Sequence, residues 1–379
     1  MPHAPIMNRE DHADEVRVIE RILQHAERGT TDTGTEVWRE PVANYRSPAR
    51  LQAELEQVLR RAPTPFCPSA ALVQAGSYVA RVAAGVPLLA VRGADGTVRA
   101  FRNACRHRGA MLAAGAGCTR SFVCPYHAWT YELDGRLRHI PHEAGFPGVD
   151  KATSSLVPVH CEERAGIVFV TQDEPLPGPP DPLPPMFRPG AALFATRELD
   201  FEVNWKVLLE SFIEGYHIRY THSQTFYPYG YDNLNLIDLY GRGSRVTYPF
   251  RRIEKLREVP QAEWRLDGKL TFVYHLFPNA LVTMLSRHTN LVVLEPLAHD
   301  RTRQHTWSIA TEPGDEARAE AQRDAAFVGD TGLVEDRAVV QAIQQGLTSG
   351  ANEVFTFGHY ESAIVHFHRM LDAALGEVG

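Results

Sequence analysis

An α+β chain of two domains is what this sequence predicts: an all-β domain first, then an antiparallel sheet flanked by helices. Three observations carry that expectation. Between Cys67 and Gln172 the chain consists of short β-branched runs broken by glycine, the texture of strands and tight turns. The stretch from Glu174 to Pro185 then holds seven prolines in twelve residues, which neither a helix nor a central strand accommodates. Beyond it, strand-like runs alternate with helical segments, as a sheet with covering helices requires. A length of 379 residues suits two such domains.

In chain order, residues 1–62 read as a charged N-terminal helical segment that packs on the second domain, with 16–23 and 50–55 in helical spacing. Residues 63–173 make the β domain. Runs 78–82, 87–92, 98–101 and 166–170 are predicted strands, and Ala94-Asp95-Gly96 and Leu133-Asp134-Gly135 are turns between strands. Residues 174–186 are a stiff, extended linker, and 187–379 form the second domain. There, 268–274 and 291–294 are predicted strands, with helices at about 204–217, 314–328 and 332–347.

Composition excludes several functions. With 44% hydrophobic and 22% charged residues, the chain has the make-up of a soluble globular enzyme. A formal net charge of −7 and no basic tract argue against a nucleic-acid partner. No apolar run approaches the ~20 residues that span a bilayer. The start, with Asn8-Arg9-Glu10-Asp11, lacks the apolar core of a signal peptide. Five cysteines, an odd number, read as reduced thiols in a cytoplasmic protein.

Two of those cysteines are paired with histidines: Cys105-Arg106-His107, and Cys124-Pro125-Tyr126-His127. C-x-H followed by C-x2-H at this separation is the ligand pattern of a Rieske [2Fe–2S] cluster, two thiolates on one iron and two neutral imidazoles on the other. The surrounding glycine- and proline-shaped loops suit that use, and the β texture places both at hairpin tips. A structural zinc site also uses two Cys and two His, but zinc fingers seldom alternate them within each half. Cys67, Cys118 and Cys161 remain outside the pattern.

The second domain carries Glu210, Glu214 and His217 at i, i+4 and i+7, then His222. Two histidines five apart do not share one face of a regular helix, so a break or widened turn must let the rings converge. His217 and His222 supply two thirds of a 2-His-1-carboxylate triad for Fe(II), which leaves the opposite positions open. Asp336 is the candidate third ligand and Glu335 the fallback; a first-turn acid favoured by the helix dipole is the bland alternative.

These motifs in this order resemble the oxygenase (alpha) component of Rieske non-haem iron oxygenases, the aromatic ring-hydroxylating dioxygenases and their demethylating relatives. The resemblance runs from about residue 65 to the C-terminus. It rests on the cluster loops, Asn204-Trp205-Lys206, Glu214-x-Tyr216-His217-x4-His222, Glu335-Asp336 and Phe367-His368-Arg369. It implies catalytic roles for Glu214 and Asn204, cluster ligation by Cys105, His107, Cys124 and His127, and iron ligation by His217, His222 and Asp336. Glu214 would bridge His127 of one protomer and His217 of the next in a head-to-tail homotrimer. Electrons from NAD(P)H would arrive through a reductase, with or without a small ferredoxin, to activate O2. The substrate would be a small, aromatic compound that is hydroxylated or demethylated; a quaternary-ammonium substrate is the alternative, because the family's usual bridge is Asp and Glu214 is similar to carnitine- and betaine-type enzymes. From another class, a Rieske electron carrier without oxygenase activity also fits the first domain. Ala128 stands where relatives commonly have Gly, and Arg108-Gly109 and Ala128-Trp129 stand where respiratory Rieske proteins have a cysteine in each loop. Phe212, Phe272, Tyr274, Phe277, Asn279, Met284 and Leu285 are candidate pocket residues, and Arg287 and His288 are candidates to meet a substrate carboxylate.

Overall fold

The computed structural model describes residues 12–188 and 190–376; the polar stretch 8–11 lies outside them. The chain forms two compact units, one of residues 1–59 with 176–379 and the other of 60–175.

Helix α1 (His12–Arg28) buries the stripe Val18, Ile19, Ile22 and Leu23. Strand β1 (Trp38–Pro41), helices α2 (Ala43–Arg46) and α3 (Pro48–Ala53) and a π-helical stretch, Glu54–Leu59, follow. The segment is therefore not purely helical. It is tied into its unit by ion pairs from Arg21 to Asp238 and from Arg50 to Asp372.

The unit of residues 60–175 contains strands β2 (Thr64–Pro68), β3 (Ser77–Ala83), β4 (Val86–Arg92), β5 (Val98–Arg102), β6 (Gly115–Cys118), β7 (Phe122–Val123), β8 (Thr130–Tyr131), β9 (Leu137–His139), β10 (Pro158–Arg164) and β11 (Ile167–Thr171). They form a seven-stranded sheet, β2-β11-β10-β5-β4-β3-β6, and a three-stranded one, β7-β8-β9. Leu89, Phe101, Phe122, Trp129, Tyr131 and Ile140 form the core around Cys105 and Cys124. Strand order corrects one expectation. The loop after Cys124 joins β7 and β8, which pair, and is a hairpin tip. The loop after Cys105 joins β5 to β6, which β4 and β3 separate, so it crosses the sheet end instead. Gly117 in β6 makes that course possible, because a Cβ there would meet the Tyr78 hydroxyl at 2.8 Å.

The second unit holds β12 (Leu193–Phe201), α4 (Trp205–Glu210), α5 (Ile218–Thr221), β13 (Leu236–Tyr240), β14 (Gly243–Pro249), β15 (Leu270–Leu276), β16 (Ala280–Met284), β17 (His288–Ala298), β18 (Arg301–Ala310), α6 (Asp315–Gly346), β19 (Val354–Phe357) and α7 (Ser362–Leu375). Seven strands make one antiparallel sheet, β12-β18-β17-β16-β15-β14-β13, and β19 pairs with β1. Two helix expectations are corrected. The predicted helix 204–217 is helical only in α4, and the chain turns from Ser211 to His217 before α5 begins. The predicted helices 314–328 and 332–347 are one helix of 32 residues; glycine inside a helix costs only about 1 kcal/mol, and α6 packs on β17, β18 and α4. The proline-rich stretch has no helix or strand among its described residues, yet it is no free spacer. Leu176, Pro184 and Met186 are buried, and Asp181 accepts from the Arg242 N–H at 3.0 Å. No helix among the described residues is long and apolar enough to cross a membrane, and all five cysteines are free.

Candidate active site and metal centres

The two cluster loops share one hydrogen-bond scheme. Cys105 N donates to Ala110 O and Gly109 N to Cys105 O; Cys124 N donates to Trp129 O and Ala128 N to Cys124 O, all at 2.8–3.0 Å. Gly109 and Ala128 are thus equivalent positions, and both have left-handed backbone, φ +78° and +56°. Ala128 holds a conformation that glycine adopts freely, at a cost on the order of 1 kcal/mol.

Cys105 and Cys124 are buried and within hydrogen-bonding reach of each other. The rings of His107 and His127 lie 4.7 Å apart, and His107 stacks on Trp129 at 5.0 Å. His107 Nδ1 is a buried nitrogen without a partner. Burial first, then His127 and Arg108, hold His107 below the usual histidine pKa, so the imidazole is in the neutral form that metal ligation needs. Two adjacent thiols and an orphaned neutral ring nitrogen fit a mixed Cys/His cluster. Tyr131 completes the arrangement: its oxygen accepts from Arg106 N at 2.9 Å, which leaves its proton for Cys105 Sγ at 3.3 Å. Because an added electron makes the cluster more negative, that bond favours the reduced state. Tyr131→Phe should lower the midpoint potential by about 40 mV, the equivalent of one ordinary hydrogen bond, and a redox titration followed by visible absorption measures it.

The second centre grows out of α4. Asn204 caps that helix, its Oδ1 accepting from Lys206 N at 2.9 Å while its Nδ2 donates to Tyr45 O and His299 O. All its polar atoms are used in the fold and it is absent from the cavity wall, so the expected catalytic role for Asn204 is corrected to a structural one. Glu210 ends α4 buried, accepting from Tyr45 Oη at 2.7 Å beside His368 Nε2 at 2.9 Å; it does not share a face with Glu214 and His217. The chain then turns. Tyr248 Oη lies 2.9 Å from Phe212 O and 3.1 Å from Glu214 O. Gly215 passes so close to Asn235 that a Cβ would meet its amide at 2.4 Å.

His217 and His222 flank the single turn of α5, and this is the break their spacing demanded. Their rings lie 5.2 Å apart. Asp336 Oδ1 is 2.9 Å from His222 Nε2 and 3.7 Å from His217 Nε2, and one ligand atom from each of the three residues falls within 4.8 Å of the others. The opposite ring nitrogens face other carboxylates. Glu214 hydrogen-bonds His217 Nδ1 and accepts from the N–H groups of Tyr216 and His217. Glu335 Oε2 lies 2.8 Å from His222 Nδ1 and accepts from Thr225 Oγ1 at 2.6 Å. Each imidazole is therefore held through Nδ1 and presents Nε2 to the gap. Burial lowers both histidine pKa values, but Glu214 and Asp336 for His217, and Asp336 and Glu335 for His222, outweigh it and raise them. Protons consequently compete with a metal here. Affinity of the iron-depleted protein for Fe(II) should rise with pH and level off above the raised pKa values, which an anaerobic titration between about pH 5 and 8 checks.

His217, His222 and Asp336 open onto a cavity of about 750 Å³. Its wall follows the period of the sheet: Thr271 and Val273, Thr283 and Leu285, Asn290 and Val292, Thr306 and Ser308 point in. Of the candidate pocket residues, Phe212, Leu285 and His288 line it. Phe272, Tyr274 and Met284 have the opposite parity and face the other side of the sheet, where Arg245 lies over the Phe272 and Tyr274 rings and pairs with Asp238. Phe277 and Asn279 sit at the β15–β16 turn, Asn279 bonded to Leu294 O. Arg287 is exposed and pairs with Glu320. Tyr248, Asn290, Thr306 and Ser308 were not singled out from the sequence; alternation from His288 was the only signal for Asn290.

Two family descriptions match this chain: "Rieske [2Fe-2S] domain" over residues 63–155 and "Ring hydroxylating alpha subunit (catalytic domain)" over 191–377. The chain belongs to the alpha (oxygenase) subunits of Rieske non-haem iron oxygenases. Such a subunit is an oxidoreductase that incorporates oxygen, with a [2Fe–2S] cluster and a mononuclear iron as cofactors and electrons from a reductase. Among its relatives, the carnitine monooxygenase oxygenase subunit of Escherichia coli K12 is 27% identical over 89% of this chain and 93% of its own. The choline monooxygenase of Beta vulgaris is 24% identical over 88% and 76%. A solved quaternary ammonium Rieske monooxygenase shares the fold with a TM-score of 0.75 at 23% identity, covering 89% of this chain and 95% of the other.

Proposed function

We propose that this oxygenase acts on a quaternary-ammonium compound, with His217, His222 and Asp336 holding the catalytic iron and Cys105, His107, Cys124 and His127 holding the cluster. One observation carries the substrate reading: aromatic side chains, among them Phe212, Phe226, Tyr229, Tyr248 and Phe250, line the same cavity as the carboxylates Glu214, Asp324 and Asp336. Rings and anionic oxygens together suit a bulky cation without N–H groups. Relatives named for carnitine, choline and glycine betaine support this class over the arene expected from the sequence. When bound, the iron supplies O2 activation beside the substrate. The chain's share is to orient both imidazoles through Glu214 and Glu335 and to keep the reacting carbon in a mostly apolar wall.

The proposed assembly is a head-to-tail trimer in which the cluster of one protomer serves the iron of the next. Tyr126 beside His127 and Tyr216 beside His217 are both more than half exposed, as groups awaiting a neighbour would be. Sedimentation should give a trimer, and NADH-dependent turnover should need an added reductase. A panel of quaternary-ammonium compounds and arenes, assayed for NADH oxidation and for product mass under 18O2, tests the substrate class. Label incorporation into arenes alone would overturn it.

A further inference from the structure

A chain of hydrogen bonds in the cavity wall, which ends on Asp324, makes no hydrogen bond to the three candidate iron ligands. Asn290 and Ser308 are opposite each other on β17 and β18, and the Ser308 hydroxyl donates to Asn290 Oδ1 at 2.7 Å. That fixes the amide, whose Nδ2 lies 3.4 Å from His288 Nε2. His288 is 1% exposed, and its Nδ1 lies 2.9 Å from Asp324 Oδ2, which also accepts from Arg287 N at 3.3 Å. An ionised carboxylate only accepts, so Nδ1 carries the proton and Nε2 accepts from Asn290. Burial raises the pKa of Asp324, but His288 outweighs that and brings it below the usual carboxylate value, so the charge is present at neutral pH.

All four residues line the cavity that holds His217, His222 and Asp336. Asp324 and Asp336 lie on one helix, roughly 18 Å apart along its axis. The Asp324 end of the hydrogen-bonded chain therefore stands well away from the triad. After its internal bonds are made, the second Asn290 N–H and the lone pairs of Ser308 Oγ and Asn290 Oδ1 remain free to face a ligand.

We propose that Asn290, Ser308, His288 and Asp324 form a second subsite, which takes an uncharged, hydroxyl-type oxygen borne by the substrate at the end remote from the oxidised carbon. The assignment deepens the substrate reading above and rests on the cavity being the substrate site. A hydroxyl accepts from Asn290 and donates to Ser308 or Asn290. A methyl in its place leaves those groups unpaired. A carboxylate has no proton to donate and meets the fixed charge of Asp324. Of the arginines of the cavity, Arg251 and Arg252 are exposed beyond β14, and Arg197, on β12 opposite Thr306, turns its guanidinium toward Gly329 of α6 and makes no hydrogen bond to the four residues of the chain. The subsite thus separates this chain's substrate from carboxylate-bearing ones such as carnitine.

The test uses the holoenzyme with its reductase and trimethylammonium alkanes of increasing length that end in methyl, hydroxyl or carboxylate. At the best length, kcat/KM for the hydroxyl compound should exceed the methyl compound by about tenfold, chiefly through KM. Calorimetric binding should show the same order, with the carboxylate compound weakest. Asn290→Leu should bring the hydroxyl-to-methyl ratio to about one, and Asp324→Asn should raise the carboxylate compound relative to the hydroxyl one; iron content and Tm report whether either variant has misfolded. Should Asn290→Leu misfold, Ser308→Ala must lower the same ratio. Equal use of hydroxyl and methyl compounds by the wild type, or ratios unmoved in folded variants, overturns the subsite. If no trimethylammonium compound binds or reacts, the substrate class has failed instead. The subsite is then decided by calorimetry with arenes matched in hydroxymethyl and ethyl groups, where equal affinity overturns it.

Discussion

Replacing Glu214 with Gln should slow electron transfer from the reduced cluster to the catalytic iron by orders of magnitude while both metal centres stay loaded. Glu214 uses one oxygen on His217 Nδ1 and the other on the N–H groups of Tyr216 and His217. Every one of these partners donates. A glutamine keeps the carbonyl oxygen for His217 but must turn its NH2 toward the backbone donors, so the turn loosens and the negative charge is lost. In the proposed trimer the same carboxylate accepts from His127 of the neighbouring protomer, and an amide cannot serve both imidazoles equally. Glu214→Asp keeps the charge but is one methylene short. The backbone cannot readily follow, because Tyr248 holds Phe212 O and Glu214 O, so Asp should retain only part of the rate. Single-turnover oxidation of the reduced cluster, with substrate and O2 present, is the measurement. A wild-type rate in the Gln variant would show that Glu214 is only a helix-turn acid and that electrons take another route.

What could be read from the sequence divides along the range of the interactions. The cluster loops are local: each cysteine closes a turn within five residues, so spacing alone names Cys105, His107, Cys124 and His127. His217 and His222 were also within reach, since their separation forbids a shared helix face and α5 supplies the turn. Pocket residues were not. Strands β15 and β16 are buried on both faces, so their sequences lack the polar–apolar alternation that tells one side from the other. Aromatic bulk at Phe272 and Tyr274 pointed to the wrong side, where it covers Arg245, while the lining came from the plainer Thr271, Val273 and Thr283. Asn204 shows a different limit. Its place in a motif gave no sign that all of its hydrogen bonds are taken up in capping α4 and in holding the chain at Tyr45 and His299. For Asp336 and Glu335, adjacent acids on one helix, only the fold decides which faces which ring nitrogen.

That decision has the largest consequence for iron. Asp336→Ala and His222→Ala should each empty the mononuclear site and abolish turnover, with the Rieske absorption and EPR signal unchanged. Asp336 Oδ1 faces both Nε2 atoms, and its loss leaves two imidazoles, too few to hold Fe(II) at neutral pH against the protons that the remaining carboxylates favour. Glu335 acts from the other side. It faces His222 Nδ1 and is braced by Thr225, so Glu335→Ala should leave the triad intact but free the ring to rotate, weakening Fe(II) binding by about 10- to 100-fold. Glu335→Gln can still accept from Nδ1 and should recover most of that loss. Iron content and anaerobic Fe(II) affinity, measured side by side for the variants, separate a ligand from a group that orients one. An empty site in Glu335→Ala beside a filled one in Asp336→Ala would reverse the two roles, and α6 would then have to turn to bring Glu335 to the Nε2 side.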